Sequence, residues 1–144
     1  MAYCTLDDIL RMLPEQTLVE LTDDDGLGTV DTGRANEAIA QADAEIDGYC
    51  GGRYGVPVAG PPPILRKLSV DIAVYHLYSR RVQESPPVRA ERYKAAVRLL
   101  ENIAKGTVTL GVTGTTVPSA EPDGAETNKP SDTNTFTRNS MGGF

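Results

Sequence analysis

Residues 61–81, Pro61-Pro-Pro-Ile-Leu-Arg-Lys-Leu-Ser-Val-Asp-Ile-Ala-Val-Tyr-His-Leu-Tyr-Ser-Arg-Arg81, decide how this chain folds. Three prolines open the stretch, and proline is tolerated in a helix's first turn because its missing N–H would have no partner there. No glycine or proline interrupts the rest of the stretch. At about 100° per residue, Ile64, Leu68, Ile72, Tyr75 and Tyr78 fall on one side. Leu65, Val70, Val74 and Leu77 widen that side, leaving Arg66, Ser69, Ala73, His76 and Arg80 as the expected wet strip. A helix this apolar is buried against several others. Asp71 breaks the pattern in the middle of the apolar arc. A carboxylate there is costly unless paired, so a structural charge pair is expected, with Arg53 or a tyrosine hydroxyl as the partner. Asp71 is also the sole hint of catalysis, and no second carboxylate, nucleophile or histidine stands at a matching spacing.

Before this stretch, Thr5 reads as an N-cap followed by Asp7 and Asp8 and the stripe Leu6, Ile9, Leu10, Leu13. Pro14 interrupts it, and Glu15–Leu21 reads as a second short helix. Both are too short to stand alone. A third helix is expected from Thr32 or Gly33 to Cys50, with Ala35, Ala38, Ile39, Ala42, Ile46 and Tyr49 inward and Glu37, Asp43, Glu45 and Asp47 outward. Gly51-Gly52 ends it. Residues 53–63 form a proline-rich extended connector. After the turn Ser85-Pro86-Pro87, Val88–Lys105 is a last amphipathic helix closed by Gly106. Thr107–Val112 alternates like a short strand with no partner strand in the chain, so it either pairs with another chain or lies flat as a coil.

The loop Thr22–Thr32, TDDDGLGTVDT, imitates a calcium loop when Asp23 is counted as its first position. Leu27 then stands at a ligand position, and Arg34 stands where the closing bidentate glutamate belongs. An Asp/Gly turn capping the next helix is the better reading, with no metal and no cofactor.

Residues 113–144 are rich in Thr, Ser, Asn, Pro and Gly and cannot bury enough apolar surface to fold alone. The chain therefore divides into a helical domain, 1–112, and an extended polar arm, 113–144. Both phenylalanines of the chain, Phe136 and Phe144, lie in the arm and are its candidate anchors on a neighbour. The fold class is all-α, a bundle of four to five helices with a non-helical arm.

The net charge of −6 hides a division: residues 1–50 carry −10, residues 51–112 carry +6 and residues 113–144 carry −2. Such charges can neutralise each other inside one fold. They also suit head-to-tail association, with Asp23, Asp24 and Asp25 of one copy facing Arg80, Arg81, Arg89 and Arg92 of the next. The basic block lacks the Lys/Arg density and interleaved aromatics of a nucleic-acid groove, and the first half is acidic, so a regulatory DNA-binding protein is the weaker alternative. Cys4 and Cys50 show no CxxC and no histidine at metal spacing, which fits two reduced thiols. With one histidine, no P-loop and no GxSxG, no enzyme is expected. No apolar run is long enough for a membrane span and no basic-then-apolar leader opens the chain, so no membrane partner is expected.

Taken in order, YCTLDDIL, LTDDDGLG, EIDGYCGGRYGVPV and PPPILRKLSVDIAVYHLY, followed by AAVRLLENIAKGTVTLG, resemble the head–tail adaptor family of Mu-like phages and prophages. The resemblance covers about residues 1–112. It implies a small helical virion protein in a homo-oligomeric ring, twelve-fold in such adaptors, beneath the portal protein. A tail-side connector or tail terminator would be the second partner, and the genome would pass through without sequence-specific binding. The implied location is the capsid–tail neck of the virion, with the bacterial host cytoplasm during assembly.

Overall fold

The computed structural model describes residues 1–81 and 84–112. The arm 113–144, with Phe136 and Phe144, lies outside the described residues. Five helices follow one another: α1 (Leu6–Met12), α2 (Glu15–Thr22), α3 (Thr32–Cys50), α4 (Pro63–Ser79) and α5 (Pro87–Lys105). No strand occurs among the described residues.

Each helix begins where its local chemistry allows. Thr5 and Asp8 form a reciprocal capping box at α1: the Thr5 N–H donates to Asp8 Oδ2 at 3.0 Å, and the Asp8 N–H donates to Thr5 Oγ1 at 3.4 Å. Asp31 caps α3 by accepting the Arg34 N–H at 3.1 Å. Proline stands in the first turn of α4 and of α5.

Helix α4 packs against all four others, most extensively against α3 and α5. Leu65, Leu68, Ile72, Val74 and Leu77 are fully buried along it, facing Ile46 of α3, Leu100 and Ile103 of α5, Ile9 of α1 and Leu18 of α2 in one core. The alanines of α3, Ala35, Ala38 and Ala42, are buried too and allow the close approach of its neighbours. The expected wet strip of α4 is corrected in part. Ser69 and Ala73 are wholly buried, because the N-terminal Tyr3-Cys4 segment and Asp43 of α3 cover that side. Ile64, expected inside, is 36% exposed.

Residues 107–112 form no strand and take the second of the two expected courses, a coil lying flat. They lie on their own domain: the Leu110 N–H donates to the Tyr54 hydroxyl at 3.1 Å, and Val108 N–H donates to the Asn102 carbonyl at 3.2 Å. Leu110 is buried, and Val108 and Val112 pack on the core, so apolar burial on the parent domain overrides the strand-like alternation.

Gly106 ends α5 in the left-handed conformation, φ 81°, and a Cβ there would overlap the Arg53 guanidinium. Arg53 thus sits over the C-terminal end of α5, where a cation is favourable. This is why it is not the partner of Asp71. Gly106→Ala combines backbone strain with the loss of this seat, and about 1–3 kcal/mol of destabilisation is expected in a denaturant melt. An unchanged midpoint would contradict that geometry.

Candidate functional site

The Asp-rich loop between α2 and α3 is held from three directions. Arg80 forms a bidentate pair with Asp24, with Nη1 2.7 Å from Oδ2 and Nη2 2.8 Å from Oδ1. Arg81 and Arg34 also pair with Asp24. The same arginines donate to the end of α2: Arg80 to the Leu21 carbonyl at 2.8 Å, and Arg81 to the Glu20 and Asp23 carbonyls at 3.1 and 2.9 Å. Cations on terminal carbonyls complement the helix dipole there. Asp24 thus already meets, within its own chain, the Arg80 and Arg81 that were expected to face it from another copy. Once α4 brings its C-terminal end beside the loop, these charges neutralise each other within one chain. Arg34, the third partner of Asp24, was expected only as the residue that spoils a calcium loop.

Asp23 accepts the Gly28 N–H at 2.7 Å and the Leu27 N–H at 3.0 Å, and these bonds hold its carboxyl below the usual range. With Asp23 turned to backbone, Asp24 to arginines and Asp31 to the α3 N-terminus, the loop's carboxylates are engaged apart from Asp25, which is exposed. Among the described residues, no three His, Cys, Asp or Glu side chains gather where a metal could be held.

Asp71 is buried, as its position on α4 implied, with 1% of its side chain exposed. Its partners are Lys67, whose Nζ lies 3.0 Å from Oδ2, and Arg92 of α5, whose Nη1 lies 3.7 Å from Oδ1. Oδ1 makes no hydrogen bond. Lys67 stands four residues earlier on the same helix, a spacing that could have been read from the sequence. Arg92, expected at a subunit interface, is thus partly used inside the fold. Arg89 lies half-buried in the first turn of α5.

Helix α3 carries a second polar group that periodicity missed. Asp43, expected outside, is buried and accepts the Tyr3 N–H at 3.1 Å and the Ser69 hydroxyl at 2.8 Å. Ser69 Oγ also lies 3.1 Å from Cys4 Sγ, and a hydroxyl has one proton, so the thiol supplies the proton of that second contact. The Tyr3 hydroxyl donates to Asp47 and accepts the Val58 N–H at 2.8 Å. Burial pushes Cys4 and Cys50 up to about 11, so both are protonated at neutral pH and weak as nucleophiles.

On the adjoining face, Tyr75 and Tyr93 stack with ring centroids 4.1 Å apart. Glu45 accepts the Tyr93 hydroxyl at 3.0 Å and lies 3.2 Å from His76 Nε2. Burial, reinforced by that bond to Glu45, pushes Tyr93 up to about 12.

Burial raises the carboxyl of Asp43, whereas backbone N–H groups lower those of Asp8 and Asp23. As pH falls, native Asp43 takes its proton before the unfolded chain does. Its contribution to stability is complete below the ordinary aspartate value and is lost as pH rises through its raised native value. Asp8 and Asp23 contribute above the ordinary value and lose that contribution as pH falls through their lowered ones. Carboxyl-carbon NMR of the native protein should place the Asp43 midpoint above the ordinary aspartate value and the other two below it. The reverse order would contradict the burial of Asp43.

The described part of the molecule is a small all-α domain in which most buried or clustered charges are satisfied internally. The profile of the family described as Bacteriophage Mu, Gp36 matches residues 3–129. The chain belongs to that family. The match runs past Val112, so the family likeness extends beyond the helical domain and into the arm, further than the motifs of the sequence imply. Among its relatives, the Mu-like prophage FluMu protein gp36 of Haemophilus influenzae is 32% identical over 84 residues, covering 58% of this chain and 57% of that protein. Gene product J of Escherichia phage Mu is 31% identical over 124 residues, 84% of each. No helix among the described residues is long and apolar enough to cross a membrane.

Proposed function

We infer that this chain is a structural protein of a Mu-like phage particle. In this reading it is a head–tail adaptor that assembles as a ring beneath the portal protein and joins the capsid to the tail. Membership of the Mu Gp36 family carries the reading. The chemistry of the domain supports it: Asp24, Asp43 and Asp71 are committed to internal partners, and both thiols stay protonated. Those groups serve the fold rather than a reaction. The arm 113–144 would reach a neighbouring subunit or the portal, with Phe136 and Phe144 as anchors.

Disrupting the gene in its phage or prophage and viewing the induced lysate by electron microscopy tests this directly. Filled heads and finished tails should accumulate unjoined. Normal numbers of complete particles would overturn the adaptor reading.

A further inference from the structure

Leu27 is 75% exposed at the tip of the α2–α3 loop, next to exposed Asp25. The glycines on either side, Gly26 and Gly28, both take φ 73°, which residues with a side chain rarely adopt. The loop is nevertheless fixed at its base by the Asp23 hydrogen bonds and the three arginines on Asp24. An apolar knob is therefore held out on a rigid acidic mount.

The opposite end of α4 carries a matching hollow. A groove of about 490 Å³ opens between α1 and the first turns of α4. Met12, Pro63 and Val70 give it apolar walls, while Arg11, Arg66 and Lys67 give it a cationic rim. Arg92 stands beside it, 3.5 Å from Met12 Sδ. These four cations face two carboxylates, Asp8 and Asp71, so the region is net positive. Around the knob, Glu20, Asp23, Asp24, Asp25 and Asp31 outnumber Arg34, Arg80 and Arg81, so that region is net negative.

Arg66 of α4 and Arg80 at its C-cap are fourteen residues apart, or about 21 Å at 1.5 Å per residue. The knob cannot fill its own groove at that distance. We propose that the Leu27 loop of one copy docks in the Arg11/Met12/Arg66 groove of the next. Leu27 lies against Met12 and Val70, and Asp25 pairs with Arg66 or Arg11. Different patches meeting in this way give a heterologous contact, which closes into a ring or runs on as a filament. The proposal rests on the reading of the chain as a ring component and names the surfaces that build the ring.

Sedimentation of the full chain over a wide concentration range tests it. The wild-type mass should climb beyond two chains. Leu27→Asp and Arg66→Glu should each weaken association at least about 10-fold, with melting unchanged, because both side chains are exposed. An equimolar mixture of the two variants should form a particle of two chains and stop there, since one copy keeps an intact groove and the other an intact loop. Asp25→Lys provides a second loop variant with the same expected loss. A wild type that stays monomeric at every concentration, variants that assemble like wild type, or a mixture that stays monomeric would each overturn the proposal. Variants that assemble normally would leave the adaptor reading standing, because that reading fails on complete particles in the gene-disrupted lysate instead.

Discussion

Truncating Ile72 to alanine is expected to destabilise the domain by about 3–4 kcal/mol, the largest single effect in the molecule. Ile72 has no exposed surface and sits midway along α4, which with α3 is one of the two helices that touch all four others. The cost combines the lost transfer of its side chain from water with the cavity that rigid neighbours cannot close. For a domain whose total stability is on the order of 5–15 kcal/mol, such a loss removes a large share. Ile64→Ala, on the same helix but 36% exposed, should cost under about 1 kcal/mol. Denaturant melts of both variants fix the rotation of α4, and equal losses would contradict it.

The second large effect concerns Asp71, and its sign depends on which group is buried. Its carboxylate is 1% exposed, while the side chains of Lys67 and Arg92 are 64% and 48% exposed. Removing Asp71 frees two cations that already reach solvent, so Asp71→Asn should cost under about 1 kcal/mol. Removing both cations leaves a buried carboxylate unpaired. Lys67→Met with Arg92→Met should therefore cost about 2–3 kcal/mol, toward the low end for a broken buried pair because the cations are well solvated. Adding Asp71→Asn to that double variant should recover most of the loss. A triple variant as unstable as the double would show that the stems of Lys67 and Arg92, not their charges, support the site.

Much of this architecture could be read from residue order. The prolines opening α4, the alanine and isoleucine spacing of α3 and the glycines after Cys50 and Lys105 place three long helices within a residue or two of their observed bounds. These are local signals, in which each helix end is marked by the residue that makes it. The features that escaped sequence reasoning are long-range. Asp43 turns inward because Tyr3, forty residues earlier, offers its N–H, and Ser69, on another helix, offers its hydroxyl. Nothing in the spacing of α3 announces either. Arg53 meets the end of α5 rather than Asp71 because the connector carries it to Gly106. The acidic and basic segments do oppose one another, but much of that pairing lies inside the fold, at Asp24. The alternation of Thr107–Val112 left strand and coil open for a related reason: a coil with every second side chain on an apolar surface has the same pattern as a strand.

In the proposed reading this family member is a component of the phage particle and stands at its neck. Gold-labelled antibody raised against the purified chain, applied to tail-less filled heads and viewed by electron microscopy, tests that claim most directly. Label is expected at the single vertex where the tail attaches. Heads that carry no label there, or particles from which the chain is absent altogether, would contradict the claim.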